Sequence, residues 1–188
     1  MRVVAGSAKG RKLVAPEGMA TRPTTDQLKE AMFNIIQFEV ADRRVLDLFA
    51  GSGQLGIEAL SRGAAHCTFV DERRESLRVI RENLEKTGFS DKALVASGDA
   101  LAFLGRQSPR QFDLILLDPP YGGGLLKKSI CAVAAFDILA PDGIIVCESG
   151  AEDVFLPNDL PYGLRRETRH GAKKLTLLEN GQDRRNDR

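Results

Sequence analysis

The sequence has no tryptophan, two tyrosines and three cysteines in 188 residues. An odd number of cysteines with no C-x-x-C pair excludes a disulfide scaffold and a thioredoxin-like redox pair. Cys67, Cys131 and Cys147 each lie in an apolar segment and are expected as buried, reduced thiols. Histidine is equally scarce. His66 and His170 are far apart, and neither has a ligand-type neighbour at useful spacing, so no metal site is expected. No apolar run approaches the roughly 18 residues of a membrane span. The opening "MRVVAGSAKG" lacks the apolar stretch of a signal peptide. Charge of one sign is missing too: 27 basic against 26 acidic residues leave +1, so the whole-chain charge points to no partner. With no internal repeat and no linker, the expectation is a soluble, cytoplasmic, monomeric protein with one domain over 1–180. Its residues 1–22 form a basic N-terminal hairpin extension, and 181–188 follow it as a polar tail.

What is present is alternation. "RVVAG" and "RKLVAP" can pair as a short hairpin around Gly6 and Gly10. Leu28, Ala31, Met32, Ile35 and Ile36 recur at helical spacing and predict a helix over about 24–38, capped by Thr24 or Thr25. Apolar strands are then predicted at 45–50, 66–71, 93–100, 112–118 and 143–149. Helices separate them at 53–63, 73–88, near 99–105 and at 125–139. A hairpin at about 163–169 and 173–179 closes the pattern. Near-continuous apolar strands alternating with helices mean an α/β domain with a mostly parallel sheet covered on both faces. The closing hairpin adds one antiparallel strand.

Two features carry chemistry. "DLFAGSGQLG" places Gly51, Gly53 and Gly56 in a G-x-G-x-x-G register between the first parallel strand and a helix. Asp71 ends the second strand, at ribose-binding spacing from Gly51. A carboxylate there can accept from both ribose hydroxyls. Asp47, just before the turn, suits a cation-bearing ligand and would repel a pyrophosphate. That favours S-adenosylmethionine (SAM), with its ammonium and sulfonium, over NAD. Asp99 can reach an adenine amino group at the same sheet edge, or serve only as a helix N-cap.

The second feature is "LILLDPPYGGG". Asp118 ends the most apolar strand, and Pro119 and Pro120 stop the ladder while leaving carbonyls free. A carboxylate and a fixed carbonyl together suit an –NH₂ group with two hydrogens, and Tyr121 offers a face for a base taken out of its stack. Charge is also local. Residues 1–25 carry Arg2, Lys9, Arg11, Lys12 and Arg22 against Glu17, a net +4. Residues 162–174 carry Arg165, Arg166, Arg169, Lys173 and Lys174 against Glu167, again +4. Both ends are expected to grip nucleic-acid phosphates. The lack of a separate recognition domain favours a structured RNA over DNA. The residues alone leave other readings open: an N6-adenine methyltransferase on DNA or RNA, an NAD(P)-binding oxidoreductase, or a non-catalytic RNA-binding factor.

"DLFAGSGQLG" with "DPPY" resembles the class I SAM-dependent methyltransferases that act on exocyclic base amines. "MRVVAGSAKGRKL", "TRPTTDQLKEAMFNII" and "VLDLFAGSGQLGIEALSRGA" are similar, more narrowly, to the bacterial 16S ribosomal RNA guanine-N2 methyltransferase family RsmD, over about residues 1–150. The resemblance implies a Rossmann-like class I fold, with a mostly parallel seven-stranded sheet and one antiparallel strand. It implies SAM held by Asp47, Phe49, Gly51, Ser52, Gly53, Gly56, Asp71, Asp99, Ala100 and Asp118. It implies catalysis by Asp118, Pro119 and Tyr121 on a guanine of the small ribosomal subunit, guanine 966 in the family. Lys9, Arg11, Lys12, Arg22, Pro23, Thr24, Pro120, Tyr121 and His170 are the expected substrate contacts. His170 stands before Gly171 where the family usually has an aromatic.

Overall fold

A computed structural model describes residues 1–16, 25–120, 124–150 and 160–180. Expectations at Arg22, Pro23, Thr24, Tyr121, Gly122, Gly123 and the tail 181–188 lie outside those residues.

The elements are α1 (Asp26–Ile35), β1 (Arg44–Asp47), α2 (Gln54–Ser61), β2 (His66–Asp71), α3 (Arg74–Thr87), β3 (Ala93–Ser97), α4 (Ala100–Leu104), β4 (Phe112–Leu117), α5 (Leu125–Ala135), β5 (Leu139–Gly150), β6 (Gly163–His170) and β7 (Lys173–Glu179). The seven strands form one sheet in the order β3-β2-β1-β4-β5-β7-β6. β1 to β5 run parallel, and β7 alone runs against them, paired with β5 and β6. The Rossmann-like class I methyltransferase fold expected from the sequence is present.

Alternate residues of the central strands point to opposite faces, and each face has its own apolar cluster. Val45, Leu114, Leu116, Ile144 and Val146 pack under α1, α2 and α3. Leu46, Ile115, Leu117, Ile145 and Cys147 pack under α4 and α5. Burial on both faces explains why these strands read as apolar runs without alternation.

Several local expectations are corrected. The N-terminal hairpin is reduced to a single bridge, Arg2 with Lys12, around a turn held by the Val3 amide on the Arg11 carbonyl at 2.9 Å. The ladder stops there because Val4 and Ala5 donate their amides to Glu58 of α2 instead, at 2.8 and 2.9 Å. Of the two caps expected for α1, Thr25 fills the role, its hydroxyl accepting from the Leu28 amide at 3.2 Å. α5 stops at Ala135, and β5 begins early, at Leu139. It pairs Leu139 with Phe112 before a register shift resumes the ladder at Leu114 and Ile144. Cys131 is exposed, while Cys67 and Cys147 are buried. On α5 the buried positions are Leu126, Ser129, Ile130 and Val133, and Cys131 falls on the outer face between them. Among the described residues no helix is long and apolar enough to cross a membrane, and no cluster of His, Cys, Asp and Glu could hold a metal.

Candidate functional site

The strand order reverses between β1 and β4. From β1 the chain winds outward to β2 and β3, and from β4 it winds the other way to β5. In an open parallel sheet, the crevice for a ligand opens at the carboxyl ends of the strands where this reversal occurs. Asp47 ends β1 and is paired in register with Leu116 of β4, so the glycine turn and the Asp118-Pro119-Pro120 segment leave the sheet side by side. Asp71 ends the next strand over, opposite Ser97. Four carboxylates, Asp47, Asp71, Asp99 and Asp118, thus follow neighbouring strands at one edge.

The glycine turn is built by contacts that only glycine permits at two positions. Gly53 caps α2 with φ of 78°, in the left-handed region, and offers no side chain to the helix amides. Gly56 leaves no room at all: a Cβ there would come within 2.3 Å of the Phe69 ring and 2.6 Å of the Cys67 sulfur. Its role is close packing of α2 on β2. Asp47 supplies the cap that Gly53 lacks. Its Oδ2 accepts from the Gly56 amide at 2.9 Å. The Asp47 carboxyl is 1% exposed. Burial, partly offset by the Gly56 hydrogen bond, pushes its pKa up to about 7. Asp71 braces the same turn from β2. Its Oδ2 accepts from the Gly51 amide and its Oδ1 from the Arg73 amide, both at 2.9 Å. The Arg73 guanidinium lies 3.5 Å away. Asp99 is the N-cap of α4, its Oδ1 accepting from Ala102 at 2.8 Å, and it is exposed. Ala100 behind it is buried. Phe49 is half-buried against the α4–α5 cluster. Asp118 is half-buried, Pro119 buried and Pro120 exposed.

Two residues at the site, Gln54 and Asn83, had not been singled out. Gln54, the first residue of α2, is 7% exposed, and its amide oxygen is buried without a hydrogen-bond partner. Asn83 of α3 donates to the Ser52 carbonyl of the glycine turn at 2.9 Å. Ser52 also places its hydroxyl 3.3 Å from the Met1 sulfur. Asn83 was detectable in principle, since it falls on the buried stripe with Leu77, Ile80, Leu84 and Thr87.

The two basic ends differ. Lys9, Arg11 and Lys12 are exposed. Arg11 donates to the Lys86 carbonyl at 3.1 Å. At the other end Arg165 pairs with Glu39 at 2.8 Å and Glu179 at 3.7 Å. Lys173 pairs with Glu148, and Lys174, 1% exposed, pairs with Glu167 at 3.3 Å. The β6–β7 turn is level with Gly150, at the carboxyl edge of β5. His170 stands there exposed, its Nε2 3.2 Å from the Thr168 hydroxyl.

Acidic strand ends around a glycine turn, with an unpartnered amide oxygen beside it, make a donor-poor and acceptor-rich site. That fits a ligand bearing hydroxyls, an amine and positive charge, and fits a pyrophosphate badly. Fold and site together define a class I methyltransferase domain. The model of the family described as conserved hypothetical protein 95 matches residues 1–179, and the chain belongs to that family, RsmD. YlbH of Bacillus subtilis is 45% identical over 174 residues, covering 87% of this chain and 95% of that protein. Ribosomal RNA small subunit methyltransferase D of Escherichia coli strain K12 is 34% identical over 179 residues, covering 95% and 89%. The solved structure of yhhF from Escherichia coli superposes with a TM-score of 0.83 at 34% identity, covering 97% of this chain and 99% of that one.

Proposed function

We propose that this protein methylates the exocyclic N2 of a guanine in 16S ribosomal RNA, the family's guanine 966, with SAM as the methyl donor. The observation that carries the reading is the meeting of the acidic glycine turn and the Asp118-Pro119 segment across the β1/β4 reversal. The names of the small-subunit relatives support the RNA and its subunit.

SAM, when bound, supplies an electrophilic methyl group on a sulfonium. Asp71 accepts from the ribose hydroxyls and Asp99 from the adenine amine, with Ala100 beneath it and Phe49 alongside. Gly51, Ser52 and Gly53 let the backbone come close. Asp47 and the Gln54 amide oxygen provide acceptors for the cationic end. Asp118 and the Pro119 carbonyl accept the two N–H bonds of the guanine amine. An exocyclic amine is a weak nucleophile because its lone pair is delocalised into the ring. Holding both hydrogens would turn that lone pair toward the methyl. The C–S bond would break with a neutral thioether as leaving group, and the methylated nitrogen, made acidic, would shed one proton. Positioning would supply most of the acceleration. Tyr121 stacks on the base, beside Pro120. Lys9, Arg11 and Lys12, with Arg22, Pro23, Thr24 and His170, face the RNA.

Asp118→Ala should lower turnover by about 10²-fold or more while SAM affinity by calorimetry changes little. Asp71→Ala should weaken SAM binding first. Near-normal turnover of Asp118→Ala would remove the assignment. Nucleoside mass analysis of the product separates N2-methylguanine from N6-methyladenine, and calorimetry showing NAD but not SAM binding would overturn the whole reading.

A further inference from the structure

The N-terminal appendage is fastened to the body by α1, where Arg2 pairs with Asp26 at 3.2 Å, and by side chains of α2 and α3. Its far turn is held by α2: Glu58 takes the Val4 and Ala5 amides, and the Ser61 hydroxyl accepts from the Ala8 amide at 3.0 Å. Its root at Val14 is held by Asn83 of α3. Asn83 is fully buried. Its Oδ1 accepts from the Val14 amide at 2.8 Å, and its Nδ2 donates to the Val14 carbonyl at 3.0 Å. The side-chain amide thus treats Val14 as a neighbouring strand would, taking both polar groups of one residue. Its remaining N–H reaches the Ser52 carbonyl, in the middle of the glycine turn, at 2.9 Å.

Packing alone does not ask for this. At a buried position on an apolar stripe, a leucine would fill the volume without the desolvation cost of an amide. What the three hydrogen bonds add is register: they fix Val14 against Ser52 directly, with one rigid planar group between them. Val14 also begins the stretch that ends at Thr25, the cap of α1. That stretch contains Arg22, Pro23 and Thr24. On one side of Val14 lie the exposed cations of the appendage, and on the other the chain leads toward α1.

We propose that Asn83 is a positioning residue for the methyl transfer. It sets the RNA-holding appendage in register with the cofactor turn, so that RNA gripped by Lys9, Arg11 and Lys12 is presented at a fixed distance from the donor. The inference rests on the function proposed above. It concerns alignment, so the cost of losing it falls on turnover and not on grip. A misplacement of about 1 Å can cost about 10²-fold in rate.

The test is steady-state methylation of 16S RNA and small subunits by Asn83→Ala, at a temperature where circular dichroism shows it folded. The expected result is a fall in kcat of about 30- to 100-fold, from the cost of misalignment, with RNA affinity within about threefold of wild type. Leu84→Ala, a core truncation one residue along the same helix, is the control for stability. It should lower the melting temperature and leave kcat near wild type. Should Asn83→Ala not fold, Asn83→Ser keeps a hydroxyl at the site and is expected to give a smaller fall in kcat. A kcat within threefold of wild type in the folded variant would overturn the proposal, and so would an equal fall in Leu84→Ala. A wild-type protein inactive on both RNA substrates would instead remove the proposed function, and this role with it.

Discussion

The N-terminal appendage and the C-terminal hairpin carry the same net charge of +4 in sequence, and the fold treats the two quite differently. In the appendage, Lys9 and Lys12 stand exposed with no ion pair among the described residues, while the backbone is held from below by buried side chains. In the hairpin three of the five cations, Arg165, Lys173 and Lys174, are themselves structural. Arg165 ties β6 to the segment after α1 through Glu39, and Lys174 lies under the sheet edge against Glu167. Net charge counted along a chain is therefore not charge available to a partner. A cation that is paired and desolvated contributes little to a phosphate contact, because its pair would have to be broken first. The appendage is the stronger candidate for gripping RNA, and on the hairpin Arg166 and Arg169 are exposed with no ion pair among the described residues, beside the exposed His170.

The largest effect should come from cutting the appendage loose at its buried anchor. Glu58 and Lys29 are both 0% exposed and 3.5 Å apart. The same carboxylate receives the Arg62 guanidinium at 2.9 Å. Burial lowers the Lys29 pKa, and Glu58 opposes that shift. Glu58→Ala leaves an uncompensated buried ammonium and two orphaned amides, and should cost about 3–5 kcal/mol in urea unfolding. Arg165→Ala removes a half-exposed cation from the hairpin and should cost about 1 kcal/mol or less. Equal losses would mean that the appendage is not anchored in the way described.

How much of this could be read in advance divides along the same line. The alternation of strands and helices, the glycine turn and the Asp118 segment were legible because each is local. Periodicity and turn chemistry act within a few residues. Their meeting at the β1/β4 reversal followed from topology rules. The anchors were not legible. Glu58 meets Val4 across 54 positions, Asn83 meets Val14 across 69, and Arg165 meets Glu39 across 126. Nothing in the local pattern pairs such residues. A polar residue on a buried stripe, such as Asn83, signals only that it has a partner somewhere. The early start of β5 was missed for a local reason: Pro141 and Asp142 read as a loop, while Leu139 before them already pairs with Phe112.

Acidity separates the turn from both basic ends, because it acts on Asp47 and leaves lysines and arginines charged. The buried Asp47 carboxyl has a pKa of about 7, raised from 3.8. The folded chain keeps a proton there that the unfolded chain has lost, so this group's contribution to stability falls as pH rises from about 4 to about 7 and is constant above. A cationic ligand prefers the ionised form. SAM affinity should therefore rise up to about tenfold between pH 6 and pH 8, with net proton release on binding. Calorimetry in buffers of different ionisation enthalpy reads both quantities. Asp47→Asn should flatten the profile, and a profile already flat in the wild type would exclude Asp47 from the binding of a cation.

The smallest effect, under about 1 kcal/mol per residue, is the one that reads the two ends against each other directly. Each lysine that neutralises a phosphate adds about 0.7 to the slope of log affinity against log salt for single-stranded nucleic acid. Lys9→Ala with Lys12→Ala should lower the slope for 16S RNA by about 1.4, measured by filter binding from low to moderate salt. Arg165→Ala should leave it unchanged, since Glu39 and Glu179 already hold that guanidinium. Arg166→Ala and Arg169→Ala should fall between, because both are exposed near the hairpin turn. If Arg165→Ala lowered the slope as much as the lysine pair, the ion pairs would have to open in the complex, and RNA would be using the hairpin by displacing its internal partners.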